Sequence, residues 1–231
     1  MDMKISPVYG DKKKEWLCEV GYTISSNFMH SVYSISYEGV EHLLPLKNKG
    51  FFLLPKHQSN YDVVLEGMLL KESIGRYANY IMKDSLPSFL EYLGGIGILK
   101  LRDLRSMLQT NDKKELKAAL KNAKEKREYV KGQMAHLLRN DEIVVVHAEG
   151  ARRYHELSHL RQRKPSANLF KLLQVQEKSG RNVPFVPLDI YYEDIGRPGS
   201  KISLKVGEPI ITHSLESLIT HLSRHITLFR E

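Results

Sequence analysis

The chain has 231 residues, of which 42% are hydrophobic and 27% are charged. This composition excludes a wholly disordered or collagen-like chain, and it allows a sizeable core within one domain. The formal net charge of +8 indicates an anionic partner, which can be a phosphate compound, a nucleic acid or an acidic lipid surface.

Cysteine content and the N-terminus indicate the compartment. The single cysteine, Cys18, cannot form an intramolecular disulfide, which favours a reducing compartment such as the cytosol. The N-terminus lacks the basic start and apolar run of a signal peptide, and no stretch approaches the roughly 18 apolar residues that span a bilayer. We therefore expect a cytoplasmic protein that does not cross a membrane.

Residues 13–37 carry apolar side chains at spacings of three and four, which predicts an amphipathic helix or helix pair. Its aromatic residues, with Lys12, Lys13 and Lys14 upstream, are typical of an interfacial membrane anchor. Packing of the same face onto the rest of the protein is the alternative. We treat residues 1–40 as an N-terminal amphipathic membrane-association region.

The remaining residues, 41–231, alternate between apolar strand patterns and helical patterns. Strands are predicted over residues 51–55, 143–146, 183–188 and 201–206, and helices over residues 62–70, 112–138 and 214–229. This alternation predicts an α/β fold with a mixed, largely parallel sheet flanked by helices.

The segment from His57 to Asp62 lies between the end of a predicted strand and the start of a predicted helix, a common place for active groups in α/β folds. A carboxylate five residues after a histidine can accept one imidazole N–H and leave the other nitrogen to act as a base. The alternative is structural, because Ser59-x-x-Asp62 matches a capping box at a helix start.

Two further segments suit phosphate binding. Residues 147–153, His-Ala-Glu-Gly-Ala-Arg-Arg, follow an apolar strand and offer a carboxylate, a glycine and two guanidinium groups, although a solvated charged loop has the same composition. Residues 94–102 place a glycine cluster before Lys100 and Arg102. They fail as a dinucleotide fingerprint because the third glycine would fall at Lys100, but a turn presenting Lys100 or Arg102 to a phosphate fits.

Two alternatives from other classes compete. His155, Glu156 and His159 form a literal H-E-x-x-H match for a zinc hydrolase, but five flanking cationic residues oppose a divalent cation and Pro165 would cut a helix short. A basic nucleic-acid-binding protein would use the lysines of residues 112–138. Glutamates interrupt that face and no nucleic-acid motif accompanies it, so we expect no nucleic-acid partner.

Taken in order, these segments resemble the glycerolipid acyltransferase family, which includes the 1-acylglycerol-3-phosphate acyltransferases. The family's H-x4-D block matches His57 and Asp62, with Lys56 in place of a frequent asparagine. Its second block resembles residues 94–102, and its F-P-E-G-T-R-S block corresponds to residues 147–153, where Glu149, Gly150 and Arg152 are kept. Val183-Pro-Phe-Val-Pro187 resembles the fourth block, and Val206-Gly-Glu-Pro-Ile210 resembles the family's later G-x-P-I strand end. The likeness therefore spans roughly residues 51–210.

The resemblance implies that residues 41–231 form an acyltransferase domain. It would move a fatty acyl group from acyl-CoA or acyl-carrier protein to a hydroxyl of a lysophospholipid or glycerol phosphate, with lysophosphatidic acid as the leading acceptor and no metal or other cofactor. His57 would be the general base and Asp62 would orient it. The resemblance further implies acceptor binding by Glu149, Gly150 and Arg152, with Lys100 or Arg102, and a peripheral position on an anionic cytosolic membrane face. Ala148 and Ala151, which replace the family's proline and threonine, point to a reshaped acceptor pocket.

Overall fold

A computed structural model describes residues 13–83, 85–98, 113–148 and 164–226. The helices are α1 (Glu15–Val32), α2 (Asp62–Ile74), α3 (Lys113–Arg139), α4 (Lys164–Ser179) and α5 (Leu215–His225). The strands are β1 (Ser34–Glu38), β2 (Phe51–Pro55), β3 (Asn79–Lys83), β4 (Gly95–Ile98), β5 (Ile143–Val145), β6 (Phe185–Tyr192) and β7 (Lys201–Val206).

The described strands form one sheet in the order β1-β7-β6-β2-β5-β3-β4. Every neighbouring pair is parallel except β6 and β7, which are antiparallel. The predicted α/β fold with a mixed, largely parallel sheet is therefore confirmed. Because β2, β5 and β6 run in the same direction side by side, their carboxyl ends meet at one edge of the sheet.

Helices cover both faces of the sheet, as the sequence of β2 requires. All five residues of β2 are buried, the continuous apolar pattern of a strand covered on both sides. Phe52 and Leu54 pack in a core with α3, α4 and α5, whereas Phe51 and Leu53 pack in a second core with α1 and α2. Successive side chains of the strand thus point to opposite helical layers.

The N-terminal region differs from its prediction as a helix or helix pair over residues 13–37. The helix ends at Val32, and residues 34–38 form the edge strand β1, which pairs with β7. Residues 34–37, Ser-Ile-Ser-Tyr, alternate polar and apolar side chains, which is the pattern of a strand. Because its apolar residues directly follow those of the helix, the sequence pattern does not separate the two elements. None of the helices in the described residues is both long and apolar enough to cross a membrane.

Three elements besides β1 were not predicted. β3 and β4 lack a strong apolar run, and β4 consists of Gly95-Ile96-Gly97-Ile98, which the sequence presented as a glycine turn. Pro165 predicts the end of a helix, but it is the second residue of α4. Proline is tolerated in the first turn, where its missing N–H has no partner in any case.

Candidate active site

The candidate site lies in the loop from β2 to α2, at the carboxyl edge of the sheet. His57 follows β2 by two residues, and Asp62 is the first residue of α2. The Nδ1 atom of His57 lies 2.9 Å from Oδ2 of Asp62. The Asp62 side chain is completely buried and that of His57 is 19% exposed, so the pair has one protected and one accessible member.

Asp62 accepts hydrogen bonds from three further groups. The backbone N–H groups of Gln58 and Ser59 donate to Oδ2 at 2.6 Å and 2.8 Å, and the hydroxyl of Tyr192 donates to Oδ1. Burial alone would raise the pKa of Asp62, but the hydrogen bonds from His57, Tyr192 and the two amides lower it below its usual value. Asp62 is therefore ionised, and Nδ1 of His57 is the donor in their hydrogen bond.

Asp62 orients the imidazole and also bonds the chain before α2, but the predicted capping box forms only in half. The Ser59 amide donates to Asp62 as predicted, whereas the helix begins at Asp62 after Tyr61, and Ser59 Oγ accepts from the amide of Tyr61 at 3.1 Å. The same carboxylate binds His57. The loop before α2 and the imidazole are thus both held by the same carboxylate oxygen, Oδ2.

Strand β6 fixes the loop that carries His57. The amide of Lys56 donates to the carbonyl of Leu188 at 2.9 Å, and the side-chain amide of Gln58 donates to the carbonyl of Ile190 at 2.9 Å. The Lys56 ammonium also lies 3.8 Å from a carboxylate oxygen of Asp189. His57 is therefore bracketed by two residues that are anchored to the neighbouring strand.

A second histidine–carboxylate pair lies beside the first. His147 follows β5, the other neighbour of β2, and its Nε2 atom lies 2.9 Å from Oε1 of Glu66 on α2. The Glu66 side chain is completely buried. The rings of His147 and His57 are 4.0 Å apart between centroids and tilted by 39°. The two pairs thus form one continuous polar cluster.

Three groups of this cluster have metal-ligand chemistry. Ligand atoms of His57, Asp62 and His147 all lie within 4.8 Å of one another. Both oxygens of Asp62 already accept hydrogen bonds from protein donors, which direct coordination of an ion would have to displace. The surroundings of Asp62 therefore suit a partner of His57 better than a metal ligand.

The cluster can move a proton. With Nδ1 donating to an ionised Asp62, the proton-accepting lone pair of His57 is on Nε2. When Nε2 takes a proton, the adjacent carboxylate stabilises the imidazolium that forms. The geometry is that of a general base with a fixed tautomer.

A polar cavity of about 340 Å³ lies elsewhere, at the carboxyl end of α2, and its lining includes Trp16, Lys71 and Arg76. Asp62 begins the same helix and is separated from this end by about 18 Å of helix. The cavity is therefore distinct from the His57–Asp62 pair.

The structure brings together His57 and Asp62, the two residues predicted to be catalytic. The other predicted site residues, Lys100, Arg102, Glu149, Gly150 and Arg152, lie outside the described residues, as do His155, Glu156 and His159 of the zinc alternative. Sequence reasoning missed Glu66, His147 and Tyr192 as members of the cluster. Glu66 is one helical turn after Asp62, a spacing that could have identified it, whereas nothing local marks Tyr192.

Comparisons with known proteins identify no family for this chain. No model of a known protein family matches it, and no curated protein sequence matches it significantly.

Proposed function

We propose that the protein is an O-acyltransferase that moves a fatty acyl group from an acyl thioester to a hydroxyl of a lysophospholipid or glycerol phosphate. The observation that carries the proposal is the His57–Asp62 pair, in which a buried, ionised carboxylate fixes the imidazole at the carboxyl edge of the sheet. A general base with this geometry suits direct attack by an alcohol, and the order of the sequence segments supports the same chemistry.

The reaction needs one proton to travel through His57. Nε2 takes the proton of the acceptor hydroxyl while the hydroxyl oxygen attacks the thioester carbonyl carbon. The carbon–sulfur bond of the tetrahedral intermediate then breaks, and the imidazolium returns the proton to the leaving thiolate, giving an ester and a free thiol. General-base catalysis of this kind contributes about 10²- to 10⁴-fold in rate. The transfer forms no acyl-enzyme.

The acceptor is proposed from the chemistry of the side chains that would bind it. Arg152, with Lys100 or Arg102, would hold the phosphate of the acceptor, and Glu149 and Gly150 would orient it. Guanidinium groups suit phosphate oxygens because they donate in a planar fork. Lysophosphatidic acid is the leading acceptor, and acyl-CoA or acyl-carrier protein is the donor. No metal or other cofactor takes part in this scheme.

The protein would work at the cytosolic face of an anionic membrane. Trp16, Val20, Ile24 and Phe28 recur every fourth residue along α1 and are between 48% and 67% exposed. The end of α1 nearest Phe28 approaches the site, because the Tyr33 and Tyr61 rings lie 6.3 Å apart between centroids. An apolar stripe on a protein of net charge +8 suits peripheral binding to anionic lipid.

The test of the reaction is mass spectrometry of lipid products. Purified full-length protein and the His57→Ala variant are incubated with acyl-CoA or acyl-carrier protein on liposomes that contain lysophosphatidic acid. Glycerol 3-phosphate and other lysophospholipids serve as parallel acceptors. We expect a product that falls by about 10²-fold or more in the variant.

The matched control for the reaction is His213→Ala. His213 is exposed, contacts Asn182, and precedes α5 near the start of β6, away from the carboxyl edge that holds His57. It is expected to keep wild-type activity. Absence of product with every donor and acceptor, or equal product from the His57→Ala variant, would refute the proposed function.

The test of membrane binding uses substitutions within the exposed stripe of α1. We expect Ile24→Ser combined with Phe28→Ser to weaken binding to anionic liposomes by about tenfold or more, because each large apolar side chain contributes about 1.5–3 kcal/mol when fully buried. Deletion of residues 1–37 is a poorer test, because it also removes most of β1.

The control for membrane binding is Leu44→Ser combined with Leu120→Ser. Both leucines are exposed and neither is on α1. Equal loss of binding in the two double variants would show that the stripe on α1 is not a specific membrane surface. Co-sedimentation at several salt concentrations separates the apolar from the electrostatic contribution.

A further inference from the structure

Glu66 is a buried carboxylate that the proposed reaction does not use. It lies one helical turn after Asp62, so both carboxylates point to the same side of α2. Its Oε1 atom lies 2.9 Å from His147, whereas Oε2 has no hydrogen-bond partner among the residues that the structure describes. A buried carboxylate is costly unless it is paired, so His147 is the group that makes Glu66 tolerable at this position.

The backbone of His147 is fixed on both sides. The amide of Val146 donates to the carbonyl of Leu53 on β2 at 3.0 Å, and the carbonyl of Ala148 accepts from the side chain of Asn168 on α4 at 2.8 Å. The hydrogen bond to Glu66 then anchors the ring at Nε2. His147 is therefore held by strand β2 and by two helices.

His147 in turn lies against the ring of His57. The register of the parallel pair places Leu53 beside Val145, so the residues that follow the two strands emerge next to each other. The ring centroids are 4.0 Å apart. Asp62 holds the ring of His57 through Nδ1. The ring of His147 lies against it and supplies a further restraint on its orientation.

We infer that His147 is a positioning residue for His57, and that Glu66 acts by holding His147 in place. This inference rests on the proposed function, since it assigns a purpose to the orientation of the general base. Orientation has large effects on rate, because a misplacement of about 1 Å can cost about 10²-fold.

The kinetic test compares Glu66→Leu, His147→Ala and the double variant. Each single variant should lower kcat by about tenfold or more and leave KM for the acceptor within about twofold, because the lost contact acts on the base and not on substrate binding. The double variant should be no slower than the slower single variant, since both residues act through one contact. A raised KM with unchanged kcat, or multiplicative losses, would overturn the inference.

The structural control is Leu69→Ala. Leu69 is completely buried on α2 and does not belong to the polar cluster. This variant removes packing from the same helix, so it is expected to lower the unfolding midpoint in urea while folded protein keeps its kcat. A loss of kcat in Leu69→Ala equal to that in His147→Ala would show that the effect is loss of stability alone.

A spectroscopic test needs no substrate and therefore separates this inference from the proposed function. Nitrogen-15 NMR of histidine-labelled full-length protein reports solvent exchange of the Nδ1 proton of His57, which its hydrogen bond to Asp62 should slow in the wild type. We expect His147→Ala and Glu66→Leu to speed this exchange, because a ring that is held less firmly opens that hydrogen bond more often, and His213→Ala to leave it unchanged. An unchanged exchange rate of the His57 proton in both cluster variants would refute the positioning role, even if acyl transfer is confirmed. Faster exchange without acyl transfer would uphold the contact and refute only the proposed function.

Discussion

Asp62 shows how one side chain can serve folding and chemistry together. Its carboxylate accepts from backbone amides at the start of α2, from His57 and from Tyr192, and it is completely buried. These hydrogen bonds outweigh burial and lower its pKa, so the ionised form contributes to stability. The interactions that orient the base therefore also stabilise the fold.

We expect Tyr192→Phe to lower the free energy of unfolding by about 1–3 kcal/mol at neutral pH, because the variant removes a donor to a buried charge. The pKa of Asp62 is below its ordinary value of about 3.9, so this contribution is complete above that value and is lost as the pH falls through the folded-state pKa. The difference between wild type and variant should therefore shrink below about pH 4. Urea unfolding at several pH values measures it.

The matched control is Tyr191→Phe. Tyr191 is the preceding residue of β6 and is 60% exposed, so its hydroxyl faces solvent. This variant should unfold like the wild type at every pH. A Tyr192→Phe variant that behaves like Tyr191→Phe would show that the hydroxyl does not stabilise Asp62.

Sequence separation decides which residues of the cluster were predictable. His57 and Asp62 are five residues apart in one turn, so their contact follows from local chain geometry. Tyr192 is 130 residues from Asp62, and His147 is 81 residues from Glu66. Those contacts depend on β6 and β5 lying on either side of β2, a strand order that apolar patterns do not specify.

At the scale of elements, the glycine cluster is a strand rather than only a turn. Gly94 has φ of +88°, and the following residues form β4 beside β3. A side chain at Gly94 would place Cβ 2.7 Å from the carbonyl oxygen of Ala78. Glycine is thus needed at position 94 both for the left-handed conformation and for the close approach to the chain before β3.

We expect Gly94→Ala to lower the free energy of unfolding by about 1 kcal/mol or more in excess of the loss caused by Gly75→Ala. Both glycines have positive φ, which costs roughly 1–2 kcal/mol for alanine, but the added Cβ at Gly75 has nothing within 4 Å. The comparison therefore isolates the contact with Ala78. Urea midpoints of the two variants measure the difference, and equal midpoints would show that the chain relaxes around the new methyl group.

At the scale of the whole molecule, the order of the strands creates the site. The sheet places β2 between β5 and β6, so His57 lies between His147 from one neighbour and Tyr192 from the other. Helix α2 starts at the same edge and brings two carboxylates beneath the two imidazoles. The alternation of strands and helices predicted the layers of the fold, whereas the site depends on the strand order.

The N-terminal helix belongs to this same fold. Met29 on α1 is 1% exposed and packs in the core that contains β2 and α2, whereas its neighbour Phe28 is 53% exposed. The hydroxyl of Tyr33, just after α1, donates to the carbonyl of Ile195 at 2.7 Å. Helix α1 thus has one face in the core and an apolar stripe on the outside.

Two neighbouring substitutions separate these two faces. We expect Met29→Ala to lower the free energy of unfolding by about 2–5 kcal/mol, because it leaves a cavity in the shared core. Phe28→Ala should change it by only about 0.5 kcal/mol, as is usual for exposed positions. Unfolding in urea, followed by tryptophan fluorescence and by circular dichroism, measures both effects. If Met29→Ala is no more destabilising than Phe28→Ala, α1 is a detachable appendage; a large loss in a single transition shows that it folds with the sheet.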